Sequence, residues 1–167
     1  MSIKLLLLDV DGTMTDGKIS YSQSGEEFKS FCVKDGLAIA SWIRLGGEVA
    51  VITGRESEIV AKRAKELGIK FIYQGVKDKQ SKVEDILKDL SIDWSSVAAI
   101  GDDLNDYSML KSAKLSFTPL DGVLFIKNSV DIVLNSKGGN GAVREMIDYI
   151  LELEGRQKEL QKLWGID

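Results

Sequence analysis

Histidine is absent from the 167 residues, and cysteine occurs once, as Cys32. Histidine-based catalytic triads, Cys/His zinc sites and disulfide frameworks are therefore excluded from the start. Cys32 lies in the apolar run Phe31-Cys32-Val33, where a lone thiol is expected to pack rather than react. An excess of basic charge is lacking too. Twenty-two basic and 26 acidic residues are interspersed and leave a net charge of −4, so no basic face is available for nucleic acid and no such partner is expected. Long apolar runs are missing as well. The N-terminal run over residues 5–8 stops at Asp9, too short for a signal peptide or a membrane span, so a cytoplasmic protein without a membrane partner is expected. No repeat or low-complexity segment appears. The length predicts one domain over residues 1–167, large enough to bury a substantial core.

What is present is concentrated at the ends of apolar runs. Residues 5–17 read LLLLDVDGTMTDG, a strand-length run that stops at Asp9 and Asp11 and is followed by Gly12-Thr13. Alternation along a strand would point Asp9 and Asp11 to one side and Val10 to the other. Two like charges delivered by a buried strand raise each other's pKa and oppose folding unless a cation or hydrogen-bond donors compensate. A hard divalent cation with oxygen ligands, Mg2+, is the economical compensation.

Further along, residues 18–33 read as a hairpin of two short strands around the Ser24-Gly25 turn, with apolar residues on both faces. A helix follows, with Asp35 as its expected N-cap and Gly46-Gly47 as its stop. Buried strands are expected over residues 48–53, 71–73, 97–100, 115–117 and 132–134. Helices are expected over residues 57–68, 79–90, 107–112 and 142–154, and a charged tail over residues 155–167 ends in apolar Leu163, Trp164 and Ile166. Strands alternating with helices predict a parallel sheet covered on both faces.

In such sheets ligands bind outside the carboxyl ends of the strands, and polar constellations occupy four of those ends: Asp9/Asp11, Thr53-Gly54, the loop with Lys79, and Asp102/Asp103/Asp106. Asp9-Val10-Asp11-Gly12-Thr13 and these partners, in this order, resemble the four motifs of the haloacid dehalogenase superfamily. The resemblance implies a three-layer, Rossmann-like α/β fold of that type. It gives Asp9 the role of nucleophile toward phosphorus and Asp11 that of general acid and base. Thr53, Gly54 and Lys79 would hold the phosphoryl group, and Mg2+ would sit on Asp9, Asp102 and the Asp11 main-chain carbonyl. Asp103 and Asp106 would be supporting acids that orient Lys79 or metal-bound water. Asp106 also suits an N-cap for the helix it opens.

The intervals between motifs leave no room for a cap domain, only for the hairpin inserted after the first strand. DVDGTMTDG, VKDGLA, ITGR, QGVKDK, GDDLND and GGNGAVRE together resemble the capless sugar-acid phosphatases, above all the 3-deoxy-D-manno-octulosonate (KDO) 8-phosphate phosphatases of lipopolysaccharide biosynthesis. That family implies substrate contacts from Lys34, Asp35, Gly36, Arg55 and Arg63, and a homotetramer in which hairpins meet and a neighbour helps close each site. Nine-carbon, sialic-acid-type phosphatases share most of the motifs but tend to carry an acidic residue after Thr-Gly. Here that residue is Arg55, whose guanidinium suits a sugar-acid carboxylate. A non-catalytic module on this scaffold usually loses the nucleophile, acid, lysine or metal carboxylate, and all four are present.

Overall fold

The computed structural model describes residues 2–166; Met1 and Asp167, the two ends of the domain expected from the sequence, lie outside them. Six strands form one parallel sheet. In chain order they are β1 (Leu5–Leu8), β4 (Glu48–Ile52), β5 (Phe71–Tyr73), β6 (Val97–Ile100), β7 (Leu115–Thr118) and β8 (Ile132–Val133). Across the sheet the order is β5-β4-β1-β6-β7-β8. The two short strands β2 (Ser20–Tyr21) and β3 (Glu27–Phe28) pair antiparallel as a separate hairpin after β1.

The four leucines of β1 explain the layering. Leu6 and Leu8 pack with Ala38, Ile39 and Trp42 of α1 (Val33–Arg44), Val60 and Ala64 of α2 (Glu58–Glu66), and Val143, Met146 and Ile147 of α6 (Ala142–Leu153). Leu5 and Leu7 face the opposite layer: Val83 and Ile86 of α3 (Lys79–Leu90), Met109 and Leu110 of α4 (Tyr107–Ser112), and Ile126 of α5 (Leu124–Lys127). A strand with period-two side chains and apolar residues at every position must be covered on both faces, and it is. The result is the three-layer α/β fold expected from the sequence, with the hairpin inserted after the first strand.

Topology also sets where the chemistry falls. The chain winds from β1 outward through β4 and β5, then returns across β1 to β6, β7 and β8. Leu8 stands in register with Val51 on one side and Ile100 on the other. The residues just past these strands, Asp9, Thr53 and Asp102, are thereby gathered at the point where the strand order reverses.

Several local expectations are corrected. Strand alternation ends at Leu8. Asp9 is extended, and residues 10–14 form a tight loop in which Gly12 takes φ +94°, so loop geometry rather than pleat directs Asp11. Helix α1 begins at Val33, with Cys32 at its N-cap position; Asp35 lies in its first turn, and the hairpin region stops short of Val33. The charged tail, assigned no element from the sequence, is helical. It forms α7 (Gln157–Leu163), and Trp164 Nε1 donates to Ser41 Oγ at 3.0 Å while Arg44 lies over the Trp164 ring, so the tail packs on its own α1. Among the described residues no helix is long and apolar enough to cross a membrane.

Candidate active site

A pocket of about 200 Å³ opens at the strand ends, lined by Asp9, Asp11, Thr53, Gly54, Arg55, Asp102, Asp103 and Asn105. A larger, mainly apolar groove lies elsewhere, between α1, α6 and α7, and carries none of the paired carboxylates. The chemistry therefore belongs to the small pocket. Asp9 projects from the end of β1, and Thr53, buried, follows β4 with its main chain tied to Tyr73 and Val76. Lys79 opens α3, whose N-cap is Asp78 accepting from Ser81 N–H at 3.1 Å.

The Lys79 ammonium is buried and donates to Asp9 Oδ1 at 2.6 Å and to Asp106 Oδ1 at 2.5 Å. Asp106 does not cap α4. Its carboxylate turns back, and Oδ2 accepts from the main-chain N–H groups of Asp102 and Asp103 at 3.0 and 3.3 Å. Asp103 caps the same turn through Leu104 N–H at 2.7 Å, so the two acids brace the loop reciprocally. Burial alone would lower the Lys79 pKa, but the charges and hydrogen bonds of Asp9 and Asp106 raise it overall and keep the ammonium charged.

The carboxylates experience the opposite. Burial, and next the Asp106 charge, raise the Asp9 carboxyl well above the usual range, even against Lys79. Burial and Asp106 likewise push Asp102 up to about 6, against the hydrogen bond it shares with Asp9. Oxygens of Asp9, Asp102 and Asp106 all lie within 4.8 Å of one another. Both Asp106 oxygens are already engaged, by Lys79 and by two N–H groups. Asp9 and Asp102 are left as two buried carboxylates in need of positive charge, a donor set that fits a hard, oxygen-seeking cation such as Mg2+.

Glycines let the loops approach this closely. A Cβ on Gly12 would overlap the Asp102 carboxylate, and one on Gly138 or Gly139 would overlap main-chain atoms of Gly12, Thr15 and Asp16. Gly139 N–H donates to Thr13 O at 2.9 Å, so the glycine loop before α6 is pressed against the loop that carries Asp11.

Of the residues assigned to substrate by resemblance, only Arg55 reaches the pocket; its guanidinium also donates to Tyr21 Oη at 3.2 Å and pairs with Glu27 at 3.5 Å. Lys34, Asp35, Gly36 and Arg63 stand outside it. Asp35 is buried and accepts from Arg144 N–H at 2.8 Å, at the start of α6, and a Cβ on Gly36 would meet the Arg63 guanidinium. Two residues at the site escaped the sequence reading. Asn105 lines the pocket from within the GDDLND motif. Lys29, in the hairpin, pairs with Asp11 Oδ1 at 2.5 Å with a fully buried side chain. Beside two glutamates and a serine a lysine reads as solvated, and no local signal marked it.

Residues 71–147 match the haloacid dehalogenase-like hydrolase model. The chain is 40% identical to the KDO 8-phosphate phosphatase of Haemophilus influenzae over 98% of its own length and 91% of that protein's. Among solved structures, the KDO 8-phosphate phosphatase of Moraxella catarrhalis, in complex with magnesium ion, phosphate ion and KDO, is 39% identical. It superposes with a TM-score of 0.92, covering 96% of this chain and 93% of that one. The enzyme from Yersinia pestis gives 40% identity and a TM-score of 0.91, over 93% and 84% of the respective chains. With the strand-end carboxylates, the buried lysine and near full-length similarity in agreement, the chain belongs to the KDO 8-phosphate phosphatase family of haloacid dehalogenase-like hydrolases.

Proposed function

We propose that the chain hydrolyses KDO 8-phosphate to KDO and inorganic phosphate, as a cytoplasmic, Mg2+-dependent homotetramer serving lipopolysaccharide biosynthesis. The observation that carries this reading is the pocket itself, where a buried, lysine-paired Asp9 stands beside Asp11, Thr53, Arg55 and Asp102. A carboxylate oxygen of Asp9 attacks phosphorus as the bond from phosphorus to the sugar oxygen breaks. The proton of the Asp11 carboxyl passes to that departing oxygen. Water then attacks the aspartyl-phosphate and gives a proton back to Asp11, and the bond between Asp9 and phosphorus breaks to release phosphate. Thr53, the Gly54 main chain and Lys79 hold the phosphoryl oxygens, and Lys79 balances the charge of Asp9 before attack. Mg2+, held by Asp9, Asp102 and the Asp11 carbonyl, supplies positive charge that offsets repulsion between nucleophile and phosphate.

Arg55 pairs with the sugar-acid carboxylate and favours the eight-carbon substrate over a nine-carbon one. Lys34, exposed outside its own pocket, reaches toward substrate from a neighbouring subunit, while Asp35 and Gly36, buried and packed against Arg144 and Arg63, support α1 from within. The test is phosphate release from KDO 8-phosphate, a nine-carbon sugar-acid 9-phosphate and p-nitrophenyl phosphate, with Mg2+ present and chelated. Expected are Mg2+ dependence, preference for KDO 8-phosphate, and an Arg55→Ala variant with a raised KM for that substrate alone. Metal-independent turnover or indifference among the three substrates would overturn the proposal.

A further inference from the structure

Among the described residues, two lysines make ion pairs with carboxylates of the pocket: Lys79 with Asp9, and Lys29 with Asp11. The second pair comes from the hairpin, yet it is not held by the hairpin alone. Lys29 Nζ lies 2.5 Å from Asp11 Oδ1 and 3.8 Å from Glu27 Oε1, and its side chain is wholly buried. Glu27 is fixed in turn. Ser57 Oγ donates to Glu27 Oε2 at 2.6 Å, and Ser57 itself is the N-cap residue of α2, its N–H bound to Gln74 Oε1 at 2.7 Å. Ser57 spends its hydroxyl on Glu27 rather than on capping its own helix. The hydrogen bond from Ser57, then the charges of Lys29 and Arg55, hold the Glu27 carboxyl below the usual range against the effect of burial. A chain of polar contacts therefore runs from α2, a fixed part of the core, through Glu27 and Lys29 to one oxygen of Asp11.

Asp11 needs such an anchor. It sits beyond the strand, in the tight loop of residues 10–14, among the carboxylates Asp9, Asp102 and Asp103 that line the same pocket. A short carboxylate in that company is repelled from the centre it has to serve, and displacement of a general acid by about 1 Å costs about a hundredfold in rate. We propose that Lys29 is a positioning residue for Asp11: by holding Oδ1, it presents the other carboxyl oxygen to the departing ester oxygen. This rests on the reading of Asp11 as general acid.

The test is leaving-group dependence. Nitrophenolate departs without a proton, whereas phenolate and alkoxides need one more as their basicity rises, so loss of acid catalysis shows as a steeper fall of kcat/KM across that series. This parameter reports the step that forms the aspartyl-phosphate and not its hydrolysis. With saturating Mg2+, Lys29→Met is expected to lose about tenfold more on phenyl phosphate than on 4-nitrophenyl phosphate, within the range expected of general acid catalysis. Lys29→Arg, which keeps the charge, is expected to restore most of the ratio. A merely structural role would lower both substrates by one factor, and an unchanged ratio in Lys29→Met overturns the proposal. Should Lys29→Met fail to fold, Lys29→Gln is read by the same ratio. Asp11→Asn separates the two levels of the argument. If it too leaves the ratio unchanged, the acid role of Asp11 falls and Lys29 with it; if it steepens the series while the Lys29 variants do not, only Lys29 is mistaken.

Discussion

Lys79 Nζ stands 2.6 Å from Asp9 Oδ1, joining the first residue of α3 to the residue that follows β1, with the lysine wholly buried and Asp9 nearly so. With Asp106 at 2.5 Å the group is one buried cation between two buried anions. Breaking such a set by removing one partner typically costs about 3–5 kcal/mol, because the remaining charges are left uncompensated. Lys79→Met is therefore expected to lower the midpoint of thermal unfolding markedly at neutral pH and to abolish most turnover. Asp106→Asn is expected to lower the midpoint too, since an amide oxygen that still accepts from Asp102 and Asp103 N–H turns its NH2 group toward Lys79. A Lys79→Met protein that melts with the parent would show that the network does not hold the site together.

Gly12 offers a way to disturb the metal ligand without touching it. Its φ of +94° strains any side chain, and a Cβ would overlap Asp102. Gly12→Ala is expected to fold but to raise the Mg2+ concentration for half-maximal activity by about ten- to a hundredfold, as other misoriented ligand shells do. Titration of activity with Mg2+ and calorimetry of Mg2+ binding both read this. Parental affinity would mean that Asp102 is not the ligand.

Asp35 gives a pH-dependent prediction. Burial raises its carboxyl above the ordinary aspartate value of 3.8, against hydrogen bonds from Arg144 and Gly141 N–H and the charges of Arg144 and Arg63. The folded pKa lies above the unfolded one, so below 3.8 this group carries no penalty, and as pH rises through the folded value its ionisation opposes folding. Asp35→Asn keeps the acceptor for Arg144 N–H and removes the charge. Melting curves of variant and parent should converge near roughly pH 4 and separate, variant higher, toward roughly pH 8. A variant less stable than the parent at the higher pH contradicts the assignment.

The hairpin carries the fourth prediction. Tyr21 and Phe28 are 61% and 54% exposed on a two-stranded element too small to be stable alone. In the tetramer we propose, Phe28 is covered by a neighbour. Phe28→Glu is expected to give smaller species by light scattering and to reduce activity on KDO 8-phosphate in parallel. A fully active monomer of the parent at working concentration refutes the assembly.

The readable part of this molecule is the part fixed by local periodicity. The LLLL run of β1 and the Gly-punctuated helices place the sheet and its strand ends almost residue by residue. α5 was missed because four residues of Leu-Phe-Ile-Lys are shorter than any period can declare, and α7 because it is held by Trp164 meeting Ser41 and Arg156 meeting Trp42 of distant α1. At the site, residue types and motif order pointed to Asp9, Asp11, Lys79 and Asp102, but orientation did not follow. Asp106 was open between orienting Lys79 and capping its helix, and it faces Lys79. Asp35 looked like the start of its own helix and instead caps the start of α6. In each case a partner far along the chain decides which way a carboxylate turns, and nothing adjacent encodes it.

The glycine loop at Gly138 and Gly139 has a consequence for how the enzyme comes into being. The loop that carries Asp11 and the backbone that presses it into shape, with α6 behind it, come from opposite sides of the central sheet strands in sequence and meet only in the folded chain. Contacts between such remote segments form late in folding, after the entropy of closing the intervening chain has been met. The sheet can thus assemble while the phosphate chemistry is still unset, and the loop of Asp11 takes its working shape only when the Gly138–Gly139 turn ahead of α6 docks against it.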